Sequence, residues 1–450
     1  MALTPDQWLN RLTKQMDDRS TRLQLLRSYM EGNAPLPEGA EGCRESYQSF
    51  QKKARTNFGE LIVEAVVERM VVGGFRVGDD NKDDDEARRI WKRSRMVAGS
   101  TDVHRDMVGL SAGYVMLGGD KGAATITWER PEQVIVEHDA RRPDLRRAAA
   151  KVYRDELEER DVALLHLPGW MVTFYRPLRD IWNAPTNHLR AQGGWVLDDA
   201  KETGLSFVPV YAHVNRGGLG EFETHTDLLD RINWGILQRL VITAMQAYRQ
   251  RATKGDLPDE DDDGNAIDYG DLFRPGPGSL WQLPEGVELW ESAPTDLSGI
   301  LAGSKADLQH LAGVTRTPMS MLMPEGENQS AEGARGIKDG LANKAKDRIA
   351  RTLWGEVMAG ALAIERGETD PVPDVEARFL PAEQQSLSDR ADASTKAQDI
   401  PWRARMEHIW QFDGDEIDRM ETMRASDLLM QTSLTSSPVS PASPGDVSTP

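Results

Sequence analysis

The chain has 450 residues, 39% hydrophobic and 28% charged, with 54 Lys and Arg against 73 Asp and Glu, for a formal net charge of −19. That length suggests roughly three domains, or one with large insertions, and the composition is neither collagen-like nor that of a wholly disordered chain. The single cysteine, Cys43, excludes an internal disulfide framework and a cysteine-rich zinc module, and the acidic balance disfavours tight binding of polyanions without excluding a protein that lets nucleic acid pass.

Residues 1–32 read as helix. Thr4 can cap it, Pro5 suits the first helical position, and Trp8, Leu12, Met16, Leu23, Leu26 and Met30 recur at helical spacing. A second amphipathic helix is predicted from about Asn57 to Val72, ended by Gly73-Gly74, with a short strand at Phe75-Arg76-Val77. Helix resumes over Ala87–Met107 after the acidic stretch Asp79 to Glu86. Short strands follow at Tyr114–Leu117, Ala124–Trp128, Val134–Glu137, Ala148–Tyr153, Val162–Leu167 and Met171–Tyr175, which fits a β-rich layer. A further strand at Pro209–Arg216 enters a Gly-rich turn. Thr226 to Arg251 then reads as one helix about 40 Å long, more than a compact globule needs.

The segment Asp256 to Asp271 holds eight acidic residues and no basic one. Turn-rich strands and a helix from Thr295 to about Val314 follow, and Thr317-Pro318 breaks that helix. Ser330 or Ala331 opens a very long helix to about Arg366, with Arg335, Lys338, Lys344, Lys346, Arg348 and Arg351 as the best basic patch. Residues 384–428 are two helical stretches broken at Pro401 and Gly414, and the Ser/Thr/Pro tail from Thr432 is expected to be disordered.

No segment is long and apolar enough for a membrane span. The best run, Leu61 to Gly74, is interrupted by Glu64, Glu68 and Arg69, and a span needs about 20 apolar residues. No secretory signal is read at the N-terminus, so a soluble protein made in a reducing cytoplasm is expected.

The motifs that could carry chemistry are few. Gly109-Leu110-Ser111-Ala112-Gly113 matches G-x-S-x-G, which would make Ser111 the nucleophile of a serine hydrolase. That elbow needs a strand before the serine and a helix after it, and the predicted order is the reverse. Asp259, Asp261 and Asp263, with Gly264, resemble the start of a calcium loop, but the twelfth position is Gly270 rather than Glu. There is no Walker A sequence and no H-E-x-x-H pair among the eight histidines, so no cofactor and no catalytic metal are expected. The basic helix after Ser330 leaves a non-ring DNA-binding protein as a further alternative.

The order of several stretches resembles a known family. Tyr29-Met30-Glu31-Gly32, Asn57-Phe58 with Ile62–Arg69 and Val72–Arg76, Leu110–Gly119, Val208–Arg216 leading into Asp227–Ile242, Thr315–Pro318 with Asn328–Ala331, Ser386–Lys396 and Gly414–Ile417 carry the likeness. Together the chain resembles a tailed-bacteriophage portal protein, of the siphophage type common in phages of actinobacteria. It departs from that pattern at Gly217–Thr226, where the family has a more compact turn.

The resemblance implies an α+β portal-type subunit with wing, long-helix stem, small α/β clip and helical crown. By position it gives a wing at 1–224, stem helices at 225–251 and 295–316, and a clip at 252–294. A tunnel loop would lie at 317–333, a long tunnel helix returning to the wing at 334–383, a crown at 384–430 and a disordered tail at 431–450. It implies a non-enzymatic ring of 12 copies at the capsid vertex of the virion, assembled in the host cytoplasm. Double-stranded DNA would pass through the ring non-specifically. The implied partners are the terminase large subunit, the major capsid or scaffold protein and a head–tail adaptor, with no membrane. It also implies Glu325, Asn328, Gln329 and Ser330 as channel-facing loop residues and Arg335 and Lys338 as channel-side basic residues.

Overall fold

In the computed structural model, residues 3–37, 45–78, 83–177, 194–247, 251–255, 260, 288–291, 293, 295–323, 331–383, 387–412 and 414–435 are described. They divide into two units. The first comprises Met1–Ala34, Asn57–Thr226 and Ala312–Pro450, and the second Pro35–Thr56 and Asp227–Leu311. The described strands are β1 (Val72–Val77), β2 (Ala112–Gly118), β3 (Thr125–Glu129), β4 (Val134–His138), β5 (Arg146–Asp155), β6 (Arg160–Leu167), β7 (Trp170–Pro177), β8 (Val196–Glu202), β9 (Val210–Val214), β10 (Arg251–Lys254), β11 (Glu288–Glu291) and β12 (Val375–Phe379). No described helix is long and apolar enough to cross a membrane.

In the first unit, short turns join β4 to β7, so consecutive strands pair antiparallel in a five-stranded sheet of order β4-β5-β6-β7-β8. The helix Pro5–Met30 covers one face of it. Its start is set locally: the Thr4 hydroxyl accepts from the Gln7 amide, the Gln7 side chain accepts from the Thr4 amide, and Pro5 fills the first turn. Its apolar stripe of Trp8, Leu9, Leu12 and Met16 buries against Ile135, Ala148, Ala150, Val152, Ala163, Leu165, Val172 and Phe174. The alanines of β5 and β6 supply little side-chain bulk, which lets the helix approach the strands closely.

A second core is built around Trp354, which is fully buried. Its indole N–H donates to His104 Nε2 at 2.8 Å, and its ring lies 4.5 Å from His213 and 5.1 Å from Trp91, centroid to centroid. Phe75, Met96, Val103, Val115, Leu117 and Tyr211 close the cluster. This core joins the three-stranded sheet β3-β2-β9 to the ribbon β1–β12.

In the second unit the helices Thr226–Ala247 and Ser298–Thr315 run antiparallel. Arg231 pairs with Asp307 at 2.8 Å near one end, and Gln246 donates to the Thr295 carbonyl at 2.7 Å near the other. Asn233 Oδ1 accepts from the amide and hydroxyl of Thr56, which follows the helix Glu45–Lys53. Leu229, Ile232 and Leu237 are buried, but no described side chain from Gln238 to Gln246, nor from Ser298 to His310, is.

Several predicted boundaries differ, and each difference has a local cause. The helix expected over Ala87–Met107 is two, Asp85–Arg93 and Met96–Leu110. Arg95 turns left-handed between them (φ 55°), and the Ser94 hydroxyl accepts from the Ile126 amide. The helix from Asn57 stops at Val67, and Gly73 and Gly74 lie inside β1, which pairs with β12. The single helix expected from Ser330 to Arg366 is Ala331–Ile349 and Trp354–Arg366; at the break, the Leu353 amide donates to His213 Nδ1 at 3.0 Å. Residues 375–379, expected within a helical segment, form β12.

The first long helix of the second unit is described over Thr226–Ala247, and Arg251, its expected end, lies instead in β10, which pairs with β11. The last helix, Gly414–Thr435, carries helical structure through residues 431–435, where a disordered tail is expected; elongating a formed helix adds one hydrogen bond per residue fixed. Residues 436–450 lie outside the described part. β8 and the helix Glu45–Lys53 have no counterpart in the predicted elements.

The buried imidazoles make the first unit acid-labile. Burial pulls His104 down to about 3, against the Met70 carbonyl that favours its charged form, and burial with the neighbouring His104 pulls His213 down to about 3. The unfolded chain takes up these protons below its ordinary imidazole pKa and the native state does not. Their contribution is therefore complete above about 6.5 and is lost as pH falls towards 3. Thermal unfolding followed by Trp fluorescence at pH 7.5 and pH 5 should show a drop in Tm, smaller in His104→Gln. An equal drop in both proteins would remove this imidazole from the explanation.

Candidate functional site

The site is built on the turn that follows β9. β9 pairs with β2 and delivers Asn215, from which the chain turns through Gly217 to Gly220. Gly220 is required by a close approach: a Cβ there would lie 2.3 Å from the Gly109 carbonyl oxygen, so any side chain would force the backbones apart. The Glu221 amide donates to the Val108 carbonyl at 2.9 Å, and Phe222 is fully buried beside Tyr29. Arg22, on the first helix, forks onto Glu223 at 2.5 and 2.6 Å and donates to the Gly218 carbonyl. The turn is thus fixed on both sides, and Glu221 has a defined direction.

Its carboxylate meets two cations. Lys344 Nζ lies 2.7 Å from Glu221 Oε2, and Arg348 Nε donates to Oε1 at 2.5 Å; the side chains of Glu221, Lys344 and Arg348 are 6%, 6% and 9% exposed. Asn215 Nδ2 also donates to Oε1 at 3.3 Å. Lys344 uses a further proton on the Thr315 carbonyl at 2.8 Å, and the Thr315 hydroxyl donates to that of Thr317 at 2.9 Å. Arg316, between them, is left-handed (φ 54°). Arg348 additionally contacts Asp347. The turn after β9 and the second half of the helix Ala331–Ile349 therefore meet at one carboxylate, and Lys344 ties the Thr315 carbonyl to them.

The electrostatics follow from burial. Desolvation pushes the Glu221 carboxyl up, but Lys344 and Arg348 together outweigh it and hold its pKa below the ordinary carboxylate value. For Lys344 desolvation wins, and its pKa falls despite Glu221. His225 is likewise lowered, by burial and then by Lys344.

Lys344 and Arg348 belong to the predicted basic patch, yet both are buried and ion-paired. Lys346 pairs with Glu383, and Arg351 with Asp347. The reading of that patch as a nucleic-acid face is corrected accordingly for Lys344 and Arg348. Arg335 and Lys338 fall on the same helix, Ala331–Ile349. Glu325, Asn328, Gln329 and Ser330, and the acidic triplet Asp259, Asp261 and Asp263, lie outside the described residues. Glu221 is missed by the sequence reading, although the helix holds a signal. Leu341, Lys344, Ala345 and Arg348 share one stripe, with Leu341 and Ala345 fully buried, and a cation on an apolar stripe calls for a buried carboxylate.

Ser111 has none of the geometry of a nucleophile elbow. It ends the helix Met96–Leu110 at φ 83° and leads directly into β2, with its carbonyl accepting from the Asn215 amide. The element order is helix then strand, the inverse of what the motif requires.

Removing one member of a buried ionic cluster strands the others, at a cost of about 3–5 kcal/mol. Glu221→Ala should therefore lower unfolding free energy by roughly that amount in urea titrations. The triple variant Glu221→Leu, Lys344→Met, Arg348→Met should lose much less. Equal losses would mean that packing rather than charge dominates.

The family model described as "Phage portal protein, SPP1 Gp6-like" matches residues 9–241. The portal protein of Mycobacterium phage D29 is 26% identical over 410 residues, covering 84% of this chain and 79% of that one, and the portal protein of Mycobacterium phage L5 gives the same figures. Among solved structures, a chain from the neck of a native gene transfer agent particle with C12 symmetry has a TM-score of 0.47 at 11% identity, covering 85% of this chain and 91% of that one. A chain from the virion of a native gene transfer agent particle has a TM-score of 0.44 at 11% identity, covering 86% and 98%.

Proposed function

The chain belongs to the SPP1 Gp6-like phage portal proteins, structural and non-enzymatic components that connect head and tail at a vertex of the phage particle, and from that premise we propose that twelve copies close into a ring around a channel for duplex DNA. The ring serves packaging and later ejection. It docks the terminase large subunit during packaging and a head–tail adaptor afterwards, and it joins the major capsid or scaffold protein during assembly.

The observation that carries this reading is the unburied helix pair of the second unit. Trp234 is 46% and Leu301 48% exposed, and Leu240, Val241 and Ile242, three successive apolar residues, are all partly exposed. Full burial of such side chains stabilises by about 1.5–3 kcal/mol each. A head-to-tail contact repeated about a closed axis buries these faces in every copy and leaves no open end.

By position the stem is the pair Thr226–Ala247 and Ser298–Thr315, and the clip is the chain between them. The wing is built on the five-stranded sheet, the crown on residues 387–435. Glu325, Asn328, Gln329, Ser330, Arg335 and Lys338 line the channel in this assignment, ahead of the Glu221 anchor that fixes the helix carrying the last two. A chain of charge −19, repeated twelve times, gives a ring near −228, whose field discourages phosphate from sticking while DNA moves. The sequence has no Walker A loop, so the ATPase that drives packaging is a separate, docked protein.

Sedimentation over a concentration series, with and without scaffold protein, should reveal a species near about 600 kDa, twelve times the 50.1 kDa chain. The double variant Trp234→Glu, Leu301→Glu should abolish that species while leaving the far-UV signal and the melting of the Trp354 core unchanged. Wild-type protein that stays monomeric in every condition would defeat the reading.

A further inference from the structure

Two surface features of the first unit carry opposite charge. The first is the tip of the β5–β6 hairpin. Its turn reads Glu156-Leu157-Glu158-Glu159, with all four residues exposed and Leu157 at 90%. Such turns ordinarily favour Gly, Asn or Asp; here a leucine stands among three glutamates. The turn is nonetheless fixed by hydrogen bonds. Asp155 Oδ1 accepts from the Leu157 amide at 3.2 Å and from the Glu158 amide at 3.1 Å, and Glu159 is left-handed (φ 50°). Arg154 pairs with the buried Asp161 at 3.2 Å across the base of the hairpin.

The second feature is a concavity of about 520 Å³ beside the helix Asp85–Arg93, lined by Asp85, Arg88, Arg89 and Lys92. Three cations against one carboxylate make it basic, in a chain whose net charge is −19. Arg89 and Lys92 are exposed, whereas Arg88 is drawn towards Asp85 at 3.0 Å and Asp418 at 3.7 Å. The methylene stems of such side chains give a charged cavity an apolar lining, which is the surface a leucine needs.

The two features stand apart within one chain. β5 has ten residues, which at about 3.3 Å each span about 30 Å. Its first residue, Arg146, pairs with Glu356 of the helix Trp354–Arg366 at 2.8 Å and lies over the ring of Tyr211 in the Trp354 core. The helix Asp85–Arg93 packs on that same core through Ala87, Ile90 and Trp91. The tip is carried to the far end of β5, and the exposure of Leu157 shows that its own chain does not cover it.

We propose that the β5–β6 tip of one copy docks in the basic concavity of the next, with Leu157 seated on the Arg and Lys stems and Glu156 and Glu158 set against Arg89 and Lys92. The occupant is a second copy because both halves of the contact, opposite in charge, belong to this chain. A contact between two different patches of one chain is heterologous, and repetition about an axis closes it into a ring. The inference rests on the ring reading above, and it adds a contact made by the first unit to the burial of the helix pair. The charges select which surfaces meet and in what register, rather than supplying most of the affinity.

Charge reversal tests the contact. Tip-reversed protein (Glu156→Lys, Glu158→Lys) and concavity-reversed protein (Arg89→Glu, Lys92→Glu) each bring like charges together. Each alone should need about ten-fold or more protein to reach the ring in sedimentation. An equimolar mixture of the two should assemble like wild type, because every tip of an alternating ring then meets opposite charge. A chain carrying all four changes should do the same. The four side chains are exposed, and unchanged melting of the Trp354 core checks that each variant is folded. Wild-type rings whose formation either reversal leaves unchanged, or reversals that the mixture does not rescue, would overturn the contact alone. Wild-type protein that forms no ring would defeat the ring reading, and the contact with it.

Discussion

Apolar burial is distributed unequally between the two units, and most of the molecule's properties follow from that. The first unit buries continuous clusters: the Trp8–Met16 stripe on the five-stranded sheet, and the Trp354 core. The second unit buries Leu229, Ile232, Leu237 and Leu311 and then runs out of partners, so that Leu240, Val241 and Ile242 keep contact with water. A helix that is apolar on adjacent faces needs neighbours on more than one side, and a single chain gives this one too few. Association with further copies, as in the proposed ring, is the direct solution.

Charge does the complementary work where apolar contact is not available. Glu221 is removed from water and can stay ionised only because Lys344 and Arg348 are brought to it by one stripe of one helix. Such an arrangement contributes little net stability over an apolar substitute, but it fixes which segments meet. Here it ties the Thr315 carbonyl to Lys344 of the helix Ala331–Ile349. The attachment of the C-terminal helices uses the same chemistry, with Arg378, Asp83 and Glu407 only 6–13% exposed.

The parts of this fold that depend on local pattern are readable in the sequence. Ala148–Tyr153, Val162–Leu167 and Met171–Tyr175 lie within β5, β6 and β7, because each strand packs one face on the first helix and so alternates. The Thr4–Pro5 helix start is equally local. Parts that depend on distant partners are not readable. The left-handed turn at Arg95 and the break before Trp354 are held by Ile126 and His213, which no window around those residues contains. β8 escapes notice because Asp198, Asp199, Lys201 and Glu202 fill a strand exposed along its whole length. At the site, the stripe of Leu341, Lys344, Ala345 and Arg348 marks a buried charge on its helix, but the identity of its partner does not follow from it. Glu221 lies in the stretch 217–226, where the family resemblance is weakest.

The account rests on the claim that the helix pair Thr226–Ala247 and Ser298–Thr315 completes its burial in neighbouring copies. Electron microscopy of the assembled protein, viewed down the symmetry axis, tests this most directly. The prediction is a closed ring whose inner wall is formed by that pair from each copy, around a bore that admits duplex DNA. Particles without a central hole, or a ring in which the pair faces solvent on every side, would contradict it.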